Sequence, residues 1–164
     1  MHALLAAVLG STLFPLTPGE HWTLRDVKSG AKTQISIRTG RVLHGLPGTG
    51  ALRVRRSGRT VQAWDSRDRR WEDLFRFGAS KGTRYTVALG STELWRKVKV
   101  RLATKAATVR DYHGEAHRGC TRFVFDELSG IADAGLLDMA FCPRVGPVRF
   151  SETTIAGPRT YALA

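Results

Sequence analysis

The densest group of chemically capable side chains lies in one polar stretch, Asp111-Tyr112-His113-Gly114-Glu115-Ala116-His117-Arg118-Gly119-Cys120. His113, His117 and Cys120 offer two imidazoles and a thiolate, which zinc and copper accept, and Asp111 and Glu115 stand among them as carboxylate donors. Three protein ligands plus an open position would make a hydrolytic metal site. His117 beside Cys120 would alternatively make a nucleophile and its base. The spacing H-x3-H-x2-C follows no strong metal signature, and a second Cys or His pair is missing. The competing reading is a polar turn at a hairpin end, and ligand count favours it. His113, His117 and Cys120 therefore stand as weak metal candidates, no residue is assigned a catalytic role, and no cofactor is expected.

Other sites with reactive potential are sparser. Glu72 and Asp73 are adjacent, so on a strand they point to opposite faces and make a poor acid/base pair. The loop Gly45-Leu46-Pro47-Gly48-Thr49-Gly50 lacks the Lys-Ser/Thr of a phosphate loop. Trp64, Trp71, Phe75 and Phe77 straddle one hairpin whose tip carries Arg67, Arg69 and Arg70. Aromatic rings interleaved with arginines can clamp single-stranded nucleic acid. However, Trp71, Phe75 and Phe77 share odd parity, which predicts a buried strand face with Arg76 outside.

The remaining signal is cationic. Residues 93–102 read ELWRKVKVRL, in which Lys97, Lys99 and Arg101 alternate with Val98, Val100 and Leu102. On a strand the aliphatic set must be buried, so the cations face water or a partner. Such a row also exists as a plain solvated face, and lysines on edge strands discourage unwanted pairing. The functional reading joins Lys97, Lys99 and Arg101 with Arg53, Arg55, Arg67, Arg69 and Arg70 in one basic binding surface. The chain has 20 Arg and 6 Lys against 14 acidic residues, a formal net charge of +12. That balance favours anionic partners: envelope lipids or polymers, or acidic proteins, with nucleic acid the less favoured. It carries no information about fold.

Period-two alternation dominates the elements that must hold these residues. Thr33–Arg38, Leu52–Arg55 and Tyr85–Leu89 each bury one face and wet the other. Seventeen glycines punctuate short segments, and only 126–139 could hold a short helix, against which Gly130 and Gly135 argue. Strands are expected at 21–27, 33–43, 51–56, 59–65, 70–77, 83–89, 94–109, 119–127, 147–155 and 159–163. The expectation is one all-β domain of about ten antiparallel strands, forming a curled sheet, an open barrel or a sandwich. Its 164 residues suffice for a single core, and no internal apolar run is long enough to span a membrane.

Ala3–Leu9 is wholly apolar and is followed by Gly10, Ser11 and Thr12, which reads as a secretory signal over 1–12 ahead of a mature domain at 13–164. Met1 and His2 supply no basic residue, so either the signal is a poor one or Met1 is not the true start. The competing reading is a buried N-terminal element retained in the fold. Cys120 and Cys142 form one disulfide if the compartment is oxidising, or remain two small buried hydrophobes if it is not.

Several stretches also carry a resemblance. Phe14-Pro15-Leu16-Thr17-Pro18-Gly19-Glu20-His21-Trp22, Leu74–Thr83, Gly119-Cys120-Thr121-Arg122-Phe123, Cys142-Pro143-Arg144-Val145-Gly146-Pro147-Val148-Arg149 and Thr154–Tyr161 together resemble a family of uncharacterised exported bacterial β-rich proteins. The resemblance covers residue 13 to the end and implies a signal peptide and a mostly β mature domain. It brings no catalytic residues. Members often have a small aliphatic residue in place of Cys142 and a shorter, less polar connection in place of 111–118. The expectation is a periplasmic, envelope or secreted binding protein with a basic face. The alternatives are a carrier of lipid or another small apolar ligand, and a metal-dependent hydrolase using the 111–120 loop.

Overall fold

The computed structural model describes residues 13–89, 96–127 and 135–164. The expected signal, 1–12, lies outside the described residues. The rest form twelve strands: β1 (His21–Asp26), β2 (Lys32–Arg38), β3 (Val42–His44), β4 (Leu52–Ser57), β5 (Thr60–Asp65), β6 (Arg70–Arg76), β7 (Arg84–Leu89), β8 (Arg96–Arg110), β9 (Ala116–Glu127), β10 (Gly135–Cys142), β11 (Gly146–Thr154) and β12 (Gly157–Leu163).

Two differences correct the expected count of ten. The run 33–43 is broken because Gly40 and Arg41 adopt left-handed backbone (φ 78° and 55°), which turns the chain between β2 and β3. Gly135–Cys142, inside and beyond the stretch considered for a helix, is a strand. Irregularities at Leu136/Asp138 and Ala140/Phe141 interrupt its alternation, so Met139 through Cys142 are all buried and no period of two is visible.

All pairings are antiparallel, and the strands run in the order β6-β5-β4-β3-β2-β1-β12-β11-β10-β9-β8-β7. β1 pairs with β12, so sequence neighbours are spatial neighbours everywhere except at the ends of the list. This is an up-and-down barrel cut between β6 and β7, rather than a sandwich. Side chains join the cut. Tyr85 Oη donates to the Leu74 carbonyl (2.8 Å) and accepts from the Arg76 amide (3.1 Å), and Glu72 Oε2 accepts from the Ala88 amide (2.5 Å). Burial pushes the Tyr85 phenol above its ordinary 10.0, so the hydroxyl keeps its proton and remains a donor.

Every strand sends side chains into one continuous core. Phenylalanines dominate its centre: Phe75 lies 4.7 Å from Phe141 and 5.3 Å from Phe123, ring centre to ring centre. Phe14, ahead of β1, enters the same cluster, with its ring 5.0 Å from Phe141 and 5.5 Å from Trp22. Arg56 Nη2 donates to the Phe14 carbonyl and ties this segment to β4. Each such ring stabilises the fold by roughly 1.5–3 kcal/mol through burial.

The β1 segment and the β10–β11 turn meet in space. Trp22 Nε1 donates to the Val145 carbonyl at 2.7 Å. The next residue, Gly146, has φ 93°, and a Cβ there would lie 2.7 Å from that same nitrogen. Only glycine lets the β10–β11 turn close onto the indole.

Cys120 and Cys142 are disulfide-bonded, with Cα atoms 4.2 Å apart. The β9–β10 register, Phe141 opposite Thr121, continues to set them directly across from each other. With Val148 they form a second, smaller buried cluster. The bridge spans a separation of 22 residues and restricts the unfolded chain by about 3 kcal/mol in the chain-entropy picture. Among the described residues no helix is long and apolar enough to cross a membrane.

Candidate polyanion-binding wall

The β8 row behaves as alternation requires. Val98, Val100 and Leu102 are buried, while Lys97 is exposed and Lys99 and Arg101 are half-buried on the outer wall. The ladder sets Arg101 beside Arg84 of β7 and Lys99 beside Thr86. Arg84 is exposed and extends the row to a second strand; its place in the alternation of 84–89 was the signal for it. On the other side, Lys99 stands opposite Asp126 of β9 without an ion pair.

The second basic wall is β4–β6. Leu52 and Val54 point inward, so Arg53 and Arg55 point outward and are exposed. Their surroundings overturn the core assignment of one aromatic group. Phe75 and Phe77 are fully buried, but Trp64 and Trp71 are half-buried on the outer wall, opposite each other across β5 and β6. The cause is a β-bulge: Val61 pairs with Phe75 and Gln62 with Asp73, leaving Leu74 as an extra residue. Leu74 and Phe75 both turn inward, and the odd-parity rule reverses below them.

The two indoles pack edge to face, with centroids 5.4 Å apart at 64°. Arg55 sits over Trp71 at 4.4 Å, and Arg53 lies 5.7 Å from Trp64 and 5.8 Å from Trp71. Arg55 Nε donates to Gln62 Oε1 (2.8 Å), Gln62 Nε2 donates to Asp73 Oδ1 (2.8 Å), and Arg76 Nε donates to Asp73 Oδ2 (2.8 Å). Neither Arg53 nor Arg55 has a carboxylate partner among the described residues.

The hairpin tip is mixed. Arg67 and Arg69 are exposed, whereas Arg70 is held by Glu72 (2.7 Å) and lies 3.8 Å from Asp68. The hydrogen bond and charge of Glu72 hold the Arg70 guanidinium above its ordinary pKa, so this cation is already neutralised locally. Glu72 and Asp73 diverge as adjacency requires: Glu72 accepts from Arg70 and from the Ala88 amide across the junction, and Asp73 accepts from Gln62 and Arg76.

The eight candidate residues therefore occupy two walls flanking the β6/β7 junction. β4 and β8 are four strand positions apart, about 19 Å along the wall. That is roughly two Debye lengths at physiological salt, so a small anion feels one wall at a time. A polymer can span both.

The 111–120 loop is a clasp. Asp111 Oδ1 accepts from the His113 and Glu115 amides, both at 2.9 Å, and Oδ2 lies 3.1 Å from His117 Nε2. Burial raises the Asp111 pKa, but the bonds from His117 and the two amides outweigh it and hold the carboxyl below its ordinary 3.8. The Tyr112 amide donates to the Leu163 carbonyl (2.8 Å), and the Arg25 guanidinium lies 5.6 Å from the Tyr112 ring, so the tip docks on β12 and β1. Ligand atoms of Asp111, Glu115 and His117 lie within 4.8 Å of one another. His113 is not part of that cluster, and Cys120 is locked in the disulfide, which removes it as a metal ligand or nucleophile.

Two short spacings familiar from serine hydrolases, Gly78-Ala79-Ser80-Lys81-Gly82 and Ser29-Gly30-Ala31-Lys32, occupy the β6–β7 and β1–β2 turns. The first lacks the strand-to-helix elbow its chemistry needs, and the second is an exposed reversal. Loop 45–50 borders an apolar cavity of about 20 Å³, lined by Pro47, Leu89, Val98, Phe125 and Leu136, with room for roughly one water. A larger open depression, about 680 Å³, runs beside Pro15–Pro18 and is edged by Arg41 and Arg56.

No family model, no curated protein and no solved structure matches this chain.

Proposed function

We propose that this chain is an exported, non-enzymatic binding protein whose barrel wall engages anionic polymers or surfaces of the cell envelope. The observation that carries the reading is the outward cation set Lys99, Arg101, Arg84, Arg53 and Arg55, none with an acidic partner among the described residues. Cations that are not neutralised internally keep their charge available to a partner, whereas Arg70, Arg76 and Arg122 are already paired. Export is supported by the disulfide, which persists in oxidising compartments, by the apolar run Ala3–Leu9, and by the resemblance to exported β-rich proteins.

The test is retention on immobilised heparin and on vesicles containing phosphatidylglycerol, measured across a salt series. Binding should weaken steeply as salt rises, and Lys99→Ala with Arg101→Ala should elute earlier than the native chain. Retention that ignores salt, or that the double variant leaves unchanged, would overturn the reading.

A further inference from the structure

We propose that the outer wall of β4–β6 is a platform for single-stranded nucleic acid, with bases stacking on Trp64 and Trp71 and phosphates held by Arg53 and Arg55. The inference rests on the basic-wall reading above and narrows its polyanion to one class.

Trp64 and Trp71 are large apolar rings on a wall whose other outward positions are polar, Arg53, Arg55, Gln62 and Asp73. Tryptophan is enriched where a surface meets a partner, because its ring is apolar and its N–H is a donor. Their edge-to-face pairing and the overlying guanidiniums fix each other's orientation, so a base joins the stack on the guanidinium-covered ring or takes that guanidinium's place as it turns to phosphate. Arg55 is further held by Gln62 through Nε, which leaves its terminal amino groups to donate elsewhere. Arg53 and Arg55 stand two residues apart on one face, about 6.7 Å, a reach that successive phosphates of an extended strand can match. Two carboxylates of this hairpin are offset: Asp73 is bonded to Gln62 and Arg76, and Asp68 lies 3.8 Å from Arg70. Arg69, just beyond the tryptophan row, prolongs the cationic track.

Stacking on rings and cations beside a basic surface is the way unpaired strands are bound without regard to sequence. A duplex offers this wall only phosphates, because its bases are already stacked. Acidic side chains would use the arginines and leave the indoles without a role, and a lipid surface, which would engage both, offers no base to stack and gives no preference for single strands over duplex.

The experiment is fluorescence anisotropy of labelled oligothymidylate of about twenty nucleotides against the same strand annealed to its complement, with heparin retention measured in parallel. Single-stranded binding should exceed duplex binding by about tenfold and should quench tryptophan fluorescence. Trp64→Leu with Trp71→Leu should weaken oligothymidylate by about tenfold while heparin retention stays. Arg53→Ala with Arg55→Ala should lower the slope of log affinity against log salt by about 1.4, two phosphates at roughly 0.7 each. If the tryptophan variant fails to fold, the native chain's fluorescence quench and its single-strand to duplex ratio decide. Equal binding of both forms, with heparin retention intact, removes the nucleic-acid platform and leaves the basic wall standing. Loss of heparin retention in the native chain removes both.

Discussion

Opening the Cys120–Cys142 bridge should lower the melting temperature by a calculable amount. The two residues sit directly across β9 and β10, so the ladder holds them together in the folded state with or without the bond. The bridge acts mainly on the unfolded chain, where closing a separation of 22 residues restricts it by about 3 kcal/mol. For a domain of this size each kcal/mol moves the midpoint by about 2–4 °C, so reduction alone should lower it by roughly 6–12 °C. Cys120→Ala with Cys142→Ala should fall further, by about 1–2 kcal/mol, because both sulfurs leave a fully buried contact with Val148. Scanning calorimetry of oxidised, reduced and double-alanine protein separates the cross-link from the packing loss. Alkylation of the denatured, unreduced protein supplies the control. Modification of both thiols under those conditions, or a midpoint that reduction does not move, would refute the reasoning.

Tyr85→Phe removes the hydroxyl that joins Leu74 and Arg76 across the barrel junction and leaves a carbonyl and an amide without that partner; the expected loss is about 2–4 kcal/mol by urea unfolding. Gly146→Ala drives a methyl group into the Trp22 indole at a left-handed position, so a drop of at least 2 kcal/mol is expected, together with a shift in Trp22 emission. Asp26 is held below its ordinary 3.8 by the amides of Ser29 and Lys28, and Asp111 lies below it for the reasons given above. A carboxyl with a lowered folded pKa contributes stability that is present above its unfolded value and is lost as pH falls through the folded one. Stability should therefore decline below about pH 4. Asp111→Asn should be less stable than the native chain at neutral pH and converge with it in acid, as denaturant midpoints across pH would show.

Much of the architecture was legible because a half-buried strand writes its two faces into alternate residues. Lys97–Leu102 and Leu52–Arg55 are oriented as that rule requires. It failed where geometry breaks the period: the bulge at Leu74 carried Trp71 to the outer wall, and irregularities in β10 erased its pattern. Both need cross-strand register, which spacing alone does not contain. The reading of 111–120 as a polar turn rather than a metal site came from ligand count. The role of Asp111, satisfying two amides and a histidine, depends on the loop's path and could not be read from residue types.

The junction between β6 and β7 leaves this barrel one seam without backbone rungs. Every other pair of neighbours shares backbone rungs, so the cylinder is complete in space while its ladder has two ends. It cannot unroll there, because residues 77–83 tie β6 to β7 and Phe75 of β6 packs against Phe123 and Phe141 across the core, but Tyr85 and Glu72 are the side chains that hold the seam in place of rungs. Amide protons of β6 and β7 that face the junction should be the earliest of the strand amides to exchange with solvent.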